Sequence, residues 1–173
     1  MKGLIRSLTR GGTLVKQNVT RQVIKVEDLT VTVSATGAAV GFGTVVAGDV
    51  PEGNILFLGA TGYLKFDGSG SDANLTADWE GDFSVGTTPT ADVTLDGTDV
   101  NILPSTALAA ATAEIGVRTR AANATSAVLD NTDGSLEVNI NVLIDAADIT
   151  DDQSVDLTVN GEINLAYIVL GDD

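Results

Sequence analysis

The sequence predicts an all-β fold: an antiparallel β-sandwich, jelly-roll-like, with an extended basic N-terminal arm. Three observations predict it. Short runs of apolar, mostly β-branched residues alternate with polar ones, which is the period-two pattern of half-buried strands. Turn-forming Gly, Asn, Asp and Pro separate these runs at the spacing of sandwich strands, giving roughly eight to ten strands. No segment alternates strands with long amphipathic helices, which excludes a parallel α/β sheet.

Residues 1–21 make the arm and residues 22–173 the sandwich domain. In the arm, Leu4, Ile5 and Leu8 suit one short amphipathic turn, and Arg10-Gly11-Gly12-Thr13 breaks it. Strand character begins at Val23–Val26 and continues where Leu29, Val31, Val33 and Ala35 alternate with Thr30, Thr32 and Ser34. Ala38–Ala47 is the next strand; Gly41 and Gly43 inside it suit a bulge or a close backbone approach. Gly48–Asn54 is a turn by composition. Ile55–Leu58 and Tyr63–Phe66 are expected to pair around Gly59-Ala60-Thr61-Gly62, and Asp67–Asp72 to form an exposed loop. Trp79–Val85 and Ala91–Leu95 are candidate strands separated by Gly86–Thr90. Val100–Leu103 is extended, because Pro104 disfavours helix at the residue before it. Thr106–Glu114 admits two readings, a short helix with Ser105 as N-cap or an extended segment.

The last third is the most regular. After the turn Asp130–Gly134, Leu136, Val138, Ile140, Val142 and Ile144 alternate with Glu137, Asn139 and Asn141. Val155–Leu170 is expected to be a hairpin about Asn160-Gly161. A three-residue loop would set Leu157 opposite Ile163, with Gly161 left-handed as a bulge.

Composition removes whole classes of chemistry. The chain has no cysteine and no histidine. Disulfides, thiolate metal sites and every Ser-His or Cys-His dyad are therefore excluded. Hydrophobic residues are 43% of the chain but aromatics only 4%, so the core is built from Val, Leu, Ile and Ala. Such a core suits closely packed sheets better than an aromatic-lined ligand pocket. Lys2 is followed by Gly3-Leu4-Ile5 and then Arg6, too short an apolar stretch for a secretion signal. No apolar run reaches the ~18 residues of a membrane helix.

Charge is divided along the chain. Residues 1–26 hold Lys2, Arg6, Arg10, Lys16, Arg21 and Lys25 and no acid; the remainder holds all 24 acids and only Lys65, Arg118 and Arg120. A negative body opposes nucleic acid. The arm's cations are interleaved with Leu14, Val15, Val19 and Val23, as suits an extended segment that docks by strand addition as well as by charge. Exposed ion pairs contribute only ~0–1 kcal/mol each, so apolar contact must supply most of the hold. The expected partner-binding residues are Arg6, Arg10, Leu14, Val15, Lys16, Val19, Arg21 and Lys25.

The acids cluster at Asp92, Asp96 and Asp99, at Asp130 and Asp133, and at Asp145, Asp148, Asp151 and Asp152. Turn chemistry explains them, since Asp caps loops and tolerates left-handed backbone. A weak calcium site within Asp145–Asp152 is the alternative, although no segment matches an EF-hand loop. A paired-carboxylate glycosidase would need a sugar cleft with aromatic platforms, for which only Trp79, Tyr63, Tyr167 and four Phe are available. The sequons at Asn18, Asn74 and Asn123 are expected by chance in a threonine-rich chain. Gly41-Phe42-Gly43 and Gly68-Ser69-Gly70 are not phosphate loops, because no helix opens after either.

The run Gly41-Phe42-Gly43-Thr44-Val45-Val46-Ala47-Gly48-Asp49-Val50-Pro51-Glu52-Gly53-Asn54-Ile55-Leu56-Phe57-Leu58-Gly59-Ala60 resembles virion structural proteins of marine tailed phages. So do Asp78–Phe83 with Gly86-Thr87-Thr88-Pro89, and Pro104–Ala113. Within that group, a small acidic sandwich with a basic arm is most similar to a capsid decoration, or cement, protein. The resemblance implies a non-enzymatic structural protein on the capsid surface, bound to a major capsid protein, commonly as a homotrimer. No cofactor, nucleic acid or membrane is implied. A head-fibre or tail-surface module that binds host glycans is the alternative.

Overall fold

The computed structural model describes residues 19–68, 73–108, 114–122 and 128–171, with 114–122 described as backbone path. Nine strands follow in chain order: β1 (Thr20–Ser34), β2 (Gly41–Asp49), β3 (Gly53–Asp67), β4 (Gly81–Gly86), β5 (Leu103–Leu108), β6 (Glu114–Ala122), β7 (Val128–Asn131), β8 (Glu137–Ile144) and β9 (Ser154–Gly171). Every pairing is antiparallel, and the strands run in the order β5-β4-β8-β2-β1-β9-β3-β6, with β7 added beside β3.

This sheet folds over at one corner. β1 and β2 share a single paired position, Ser34 with Phe42. β1 and β9, by contrast, are paired along nearly their whole lengths. Two four-stranded layers result, β1-β9-β3-β6 and β2-β8-β4-β5. That is jelly-roll order, as the sequence predicts. At the corner Gly43 is obligatory, because a Cβ there would stand 2.2 Å from the Thr32 carbonyl oxygen. Between the layers lie Ile24, Val31 and Val33 of β1, Leu64 and Phe66 of β3, Phe83 and Val85 of β4, Ile140 and Val142 of β8, and Leu157 and Ile163 of β9. Phe66 and Phe83 join the layers directly, with ring centroids 5.0 Å apart at a 47° tilt.

Three segments differ from the sequence reading, and a fourth, which admitted two readings, is decided. Val155–Leu170 is no hairpin: β9 runs straight through Asn160-Gly161 for 18 residues, between β1 and β3. Gly161 has φ 142°, and its Cα lies so close to β3 that a Cβ would stand 2.0 Å from the Tyr63 oxygen. The glycine serves a close approach rather than a turn. Ile55–Leu58 and Tyr63–Phe66 likewise belong to one strand, β3, which changes face at a bulge between Phe57 and Gly59. Ala91–Leu95 is not a strand: Thr90 Oγ1 donates to the Asp92 and Thr94 carbonyls, and Asp92 accepts the Thr94 amide, so local side-chain bonds replace a ladder. Thr106–Leu108 is extended within β5, Glu114 opens β6, and 109–113 lie outside the described residues.

The alternation in β8 also has a different meaning. Val138, Ile140, Val142 and Ile144 face the core, but Asn139, Asn141 and Leu143 on the opposite face are buried too. The segment between β4 and β5 covers Asn141. Asn141 Oδ1 accepts from the Thr90 amide at 2.8 Å and the Thr44 hydroxyl at 2.8 Å; Asn141 Nδ2 donates to the Thr88 and Asp99 carbonyls at 3.1 Å each.

Candidate docking surface

The expected partner-binding residues fall into two groups. Arg6, Arg10, Leu14, Val15 and Lys16 lie outside the described residues. Val19 directly precedes β1 and is 57% exposed; Arg21 and Lys25 lie within β1 and are exposed. The strand begins at Thr20, so Arg21 is already part of the sandwich.

Arg21, Val23 and Lys25 alternate with buried Ile24 and Val26, which fixes their direction: away from the core, on the outer face of the β1-β9-β3-β6 layer. Directly opposite residues in an antiparallel ladder share a face. The registers therefore define rows across this face. One row is Arg21, Ala166, Gly59 and Ala122; the next is Val23, Asn164, Thr61 and Arg120; the next is Lys25, Glu162, Tyr63 and Arg118. Lys65 follows on β3, opposite Asn160. Arg21, Lys25 and Lys65 thus share this outer face, and the register sets Arg118 beside Tyr63 and Arg120 beside Thr61. Lys65, Arg118 and Arg120 are absent from the sequence-derived set. The register of β3 against β6, which brings them to this layer, is a long-range fact.

Apolar groups accompany the cations. Val23 is 51% exposed, and the β3 bulge turns Leu58 outward at 38% exposure. Arg21, Leu58, Thr61, Asn164 and Ala166 line a shallow hollow of about 210 Å³. That is below the roughly 300–1,000 Å³ of a small-molecule site, so the hollow suits a protruding side chain of a partner. Acids share this face: Glu162 stands opposite Lys25, Asp156 opposite Thr32 and Asp67 opposite Thr158, and Glu27 lies beside the β1 bulge, where the Asp28 amide donates to Asn160 Oδ1 at 2.8 Å.

The acid clusters are occupied by structural hydrogen bonds. Asp148 accepts from the Thr76 hydroxyl at 2.8 Å and the Glu80 amide at 2.9 Å, which ties the segment before β4 to the β8–β9 connection. Asp152 accepts from the Gly37 amide at 2.7 Å. Asp130 accepts from Thr132 and Asp133 from Ser135, each through both hydroxyl and amide. The Ser135 hydroxyl holds the Asp133 carboxyl below its usual range, and the Thr94 hydroxyl does the same for Asp92. Among the described residues no group of three acids is placed to hold a metal ion. Asp82 is different: partial burial raises its pKa, the Ser105 hydroxyl opposes the rise, and Asp145 adds to it. Among the described residues no helix is long and apolar enough to cross a membrane.

No family model matches this sequence, and no curated protein matches it. Among solved structures, the chain is similar to one in the cyanophage Pam1 capsid asymmetric unit, at 19% identity and TM-score 0.42, covering 91% of this chain and 89% of that one. It is also similar to a chain of the infectious bursal disease virus Gx strain, at 14% identity and TM-score 0.37, covering 87% of this chain and 33% of that one. A third likeness is to the infectious bursal disease virus VP2 subviral particle, at 13% identity and TM-score 0.27, covering 90% and 42%. All three come from virus particles. Likeness this loose carries no functional argument, and the jelly-roll order stands on the strand pairing of the chain itself.

Proposed function

We propose that this chain is a structural virion protein, a decoration (cement) protein that binds the outside of a phage head and stabilises contacts between capsomers. One observation carries the reading: the basic N-terminal segment runs directly into β1, whose exposed face sets Arg21 and Lys25 on either side of an exposed Val23. A fold of this class serves capsids and lectins alike, so the site must decide. Here the site is broad, shallow, mixed in charge and partly apolar, which are properties of a surface that meets another protein. In this reading the sandwich stands on the shell, and the arm reaches over a major capsid protein or a neighbouring subunit. A homotrimer fits this role.

The glycan-binding alternative is weakened by a specific placement. Trp79, the chain's one tryptophan, is 1% exposed and cannot act as a sugar platform. Tyr63 is half-buried.

The test uses particles that contain the chain. Virions are stripped of it and re-incubated with the full chain or with a form lacking residues 1–18, which leaves β1 intact. The full chain is expected to return to the outer surface in cryo-electron micrographs, and the truncated form to stay in solution while keeping its melting temperature. Full occupancy by the truncated form sinks the arm's role. Absence of the chain from the particle surface sinks the whole reading.

A further inference from the structure

The outer face of the β1-β9-β3-β6 layer carries an apolar row at the end where the chain enters it. Leu56 of β3 stands directly opposite Ile168 of β9 on one side and Val128 of β7 on the other. Directly opposite residues share a face. Val19 precedes the Thr20–Tyr167 pair by one residue, so the same register brings it level with Ile168. Val19, Ile168, Leu56 and Val128 thus form one line across the layer, and the β3 bulge turns Leu58 out beside it. Among the described residues eight large hydrophobic side chains are exposed. Five of them, Val19, Leu58, Val128, Val169 and Leu170, lie in this row or within two residues of it along the chain. Single apolar residues are ordinary on a surface, whereas a contiguous group marks an interaction site. No charged residue stands in the row; Arg21 flanks it on one side and Asp130, opposite Asn54, on the other.

We infer that this row is the seat of the N-terminal segment of a second copy, with Leu14 and Val15 as its apolar anchors. The length of chain before Val19 and its turn chemistry point to this occupant. Residues 1–18 lead straight to the row, and their apolar residues Leu14 and Val15 come five and four positions before Val19. From Thr13 to Asn18 there is no glycine or proline; the turn signal of the segment is Gly11-Gly12, further out. A segment that reverses only there keeps Leu14 and Val15 in line with β1, about 13–17 Å beyond Val19 at roughly 3.3 Å per residue. That is past the end of the copy's own row and within reach of a neighbour's. Seating is by apolar contact, so it does not depend on the mixed charge of the face. Segment and row are different surfaces, so the contact is heterologous, and it closes into a ring when the rotation permits. The inference rests on the arm docking of the proposed function and names the neighbour's row as the receiving site; it needs no shell.

Sedimentation velocity of the full chain over a concentration series tests it. Wild type is expected to form one closed oligomer, and to keep it from about 0.1 M to about 1 M sodium chloride, where screening removes exposed ion pairs but not apolar contact. Leu14→Asp with Val15→Asp is expected to be monomeric, and so is Leu58→Asp with Val128→Asp. Mixed together, the two variants retain one good row and one good segment between them. They are expected to form a one-to-one dimer and nothing larger. Leu58→Ser with Val128→Ser, which adds no charge, serves if the aspartates disturb β3 or β7, and is expected to weaken association by about tenfold or more. A wild type that is monomeric at every concentration overturns the inference, as does an oligomer that salt dissociates or a mixture that stays monomeric. Assembly that survives the segment variant but not the row variant also overturns it, because two rows then pair with each other. Each of these results leaves the shell-binding experiment to stand or fall alone.

Discussion

At the scale of single residues, two positions separate backbone space from backbone conformation. Gly37 and Gly161 both have positive φ, 63° and 142°, but a Cβ at Gly37 meets nothing within 4 Å, whereas one at Gly161 strikes the Tyr63 oxygen at 2.0 Å. Gly37→Ala is expected to lose only about 1–2 kcal/mol, the cost of left-handed backbone for an L residue. Gly161→Ala must also push β3 away from β9 in the centre of the sheet, and is expected to lose more than about 3 kcal/mol. Urea unfolding of both variants measures this, and equal losses would show that the sheet opens there freely. Asp82 gives a second test, with a pH sign. Its folded pKa is raised, chiefly by burial, so the folded state holds the proton more readily than the unfolded chain. Stability from this group therefore falls as pH rises from the ordinary carboxylate range through the raised value. Asp82→Asn is expected to melt higher than wild type near pH 7, with the advantage shrinking toward about pH 3, below the ordinary carboxylate value. A constant offset across that range would mean that the gain comes from packing and not from titration.

Elements show how far the sequence can be read. Strand positions followed from alternation in β1 and β8, and from apolar runs bounded by turn residues in β2 and β3. Continuity was harder. Val155, Leu157, Val159, Ile163, Leu165 and Tyr167 are all buried and all odd-numbered, so the face never changes across Gly161. A hairpin with a three-residue loop preserves that parity as well, so the local pattern fitted both; only β1 and β3 on either side of β9 distinguish them. The Asn-Gly signal was read as a turn because turn propensity is local, while close approach is a property of the neighbour. β8 failed for a related reason. Asn139 and Asn141 looked solvent-facing, but the segment that buries Asn141 through Thr88, Thr90 and Asp99 lies more than forty positions away in sequence. The docking surface divided in the same way. Arg21 and Lys25 were legible from the charge run, whereas Lys65, Arg118 and Arg120 joined them only through long-range register.

At the scale of the whole molecule, the excess of acid acts against folding. The formal net charge is −15, because nine Lys and Arg leave most of the 24 acids uncompensated. Their repulsion opposes the folded state, most directly where Asp49 faces Glu137 and where Asp145 acts on Asp82. Screening shortens the reach of these charges from about 10 Å at 0.1 M salt to about 3 Å at 1 M. At protein concentrations low enough to keep the chain monomeric, the melting temperature is therefore expected to rise with sodium chloride. Asp49→Asn with Glu137→Gln removes the most direct repulsion, so this variant is expected to melt higher at low salt and to gain less from added salt. Differential scanning fluorimetry across a salt series measures both effects. A melting temperature that is level or falling in wild type, or a salt gain undiminished in the variant, contradicts the argument.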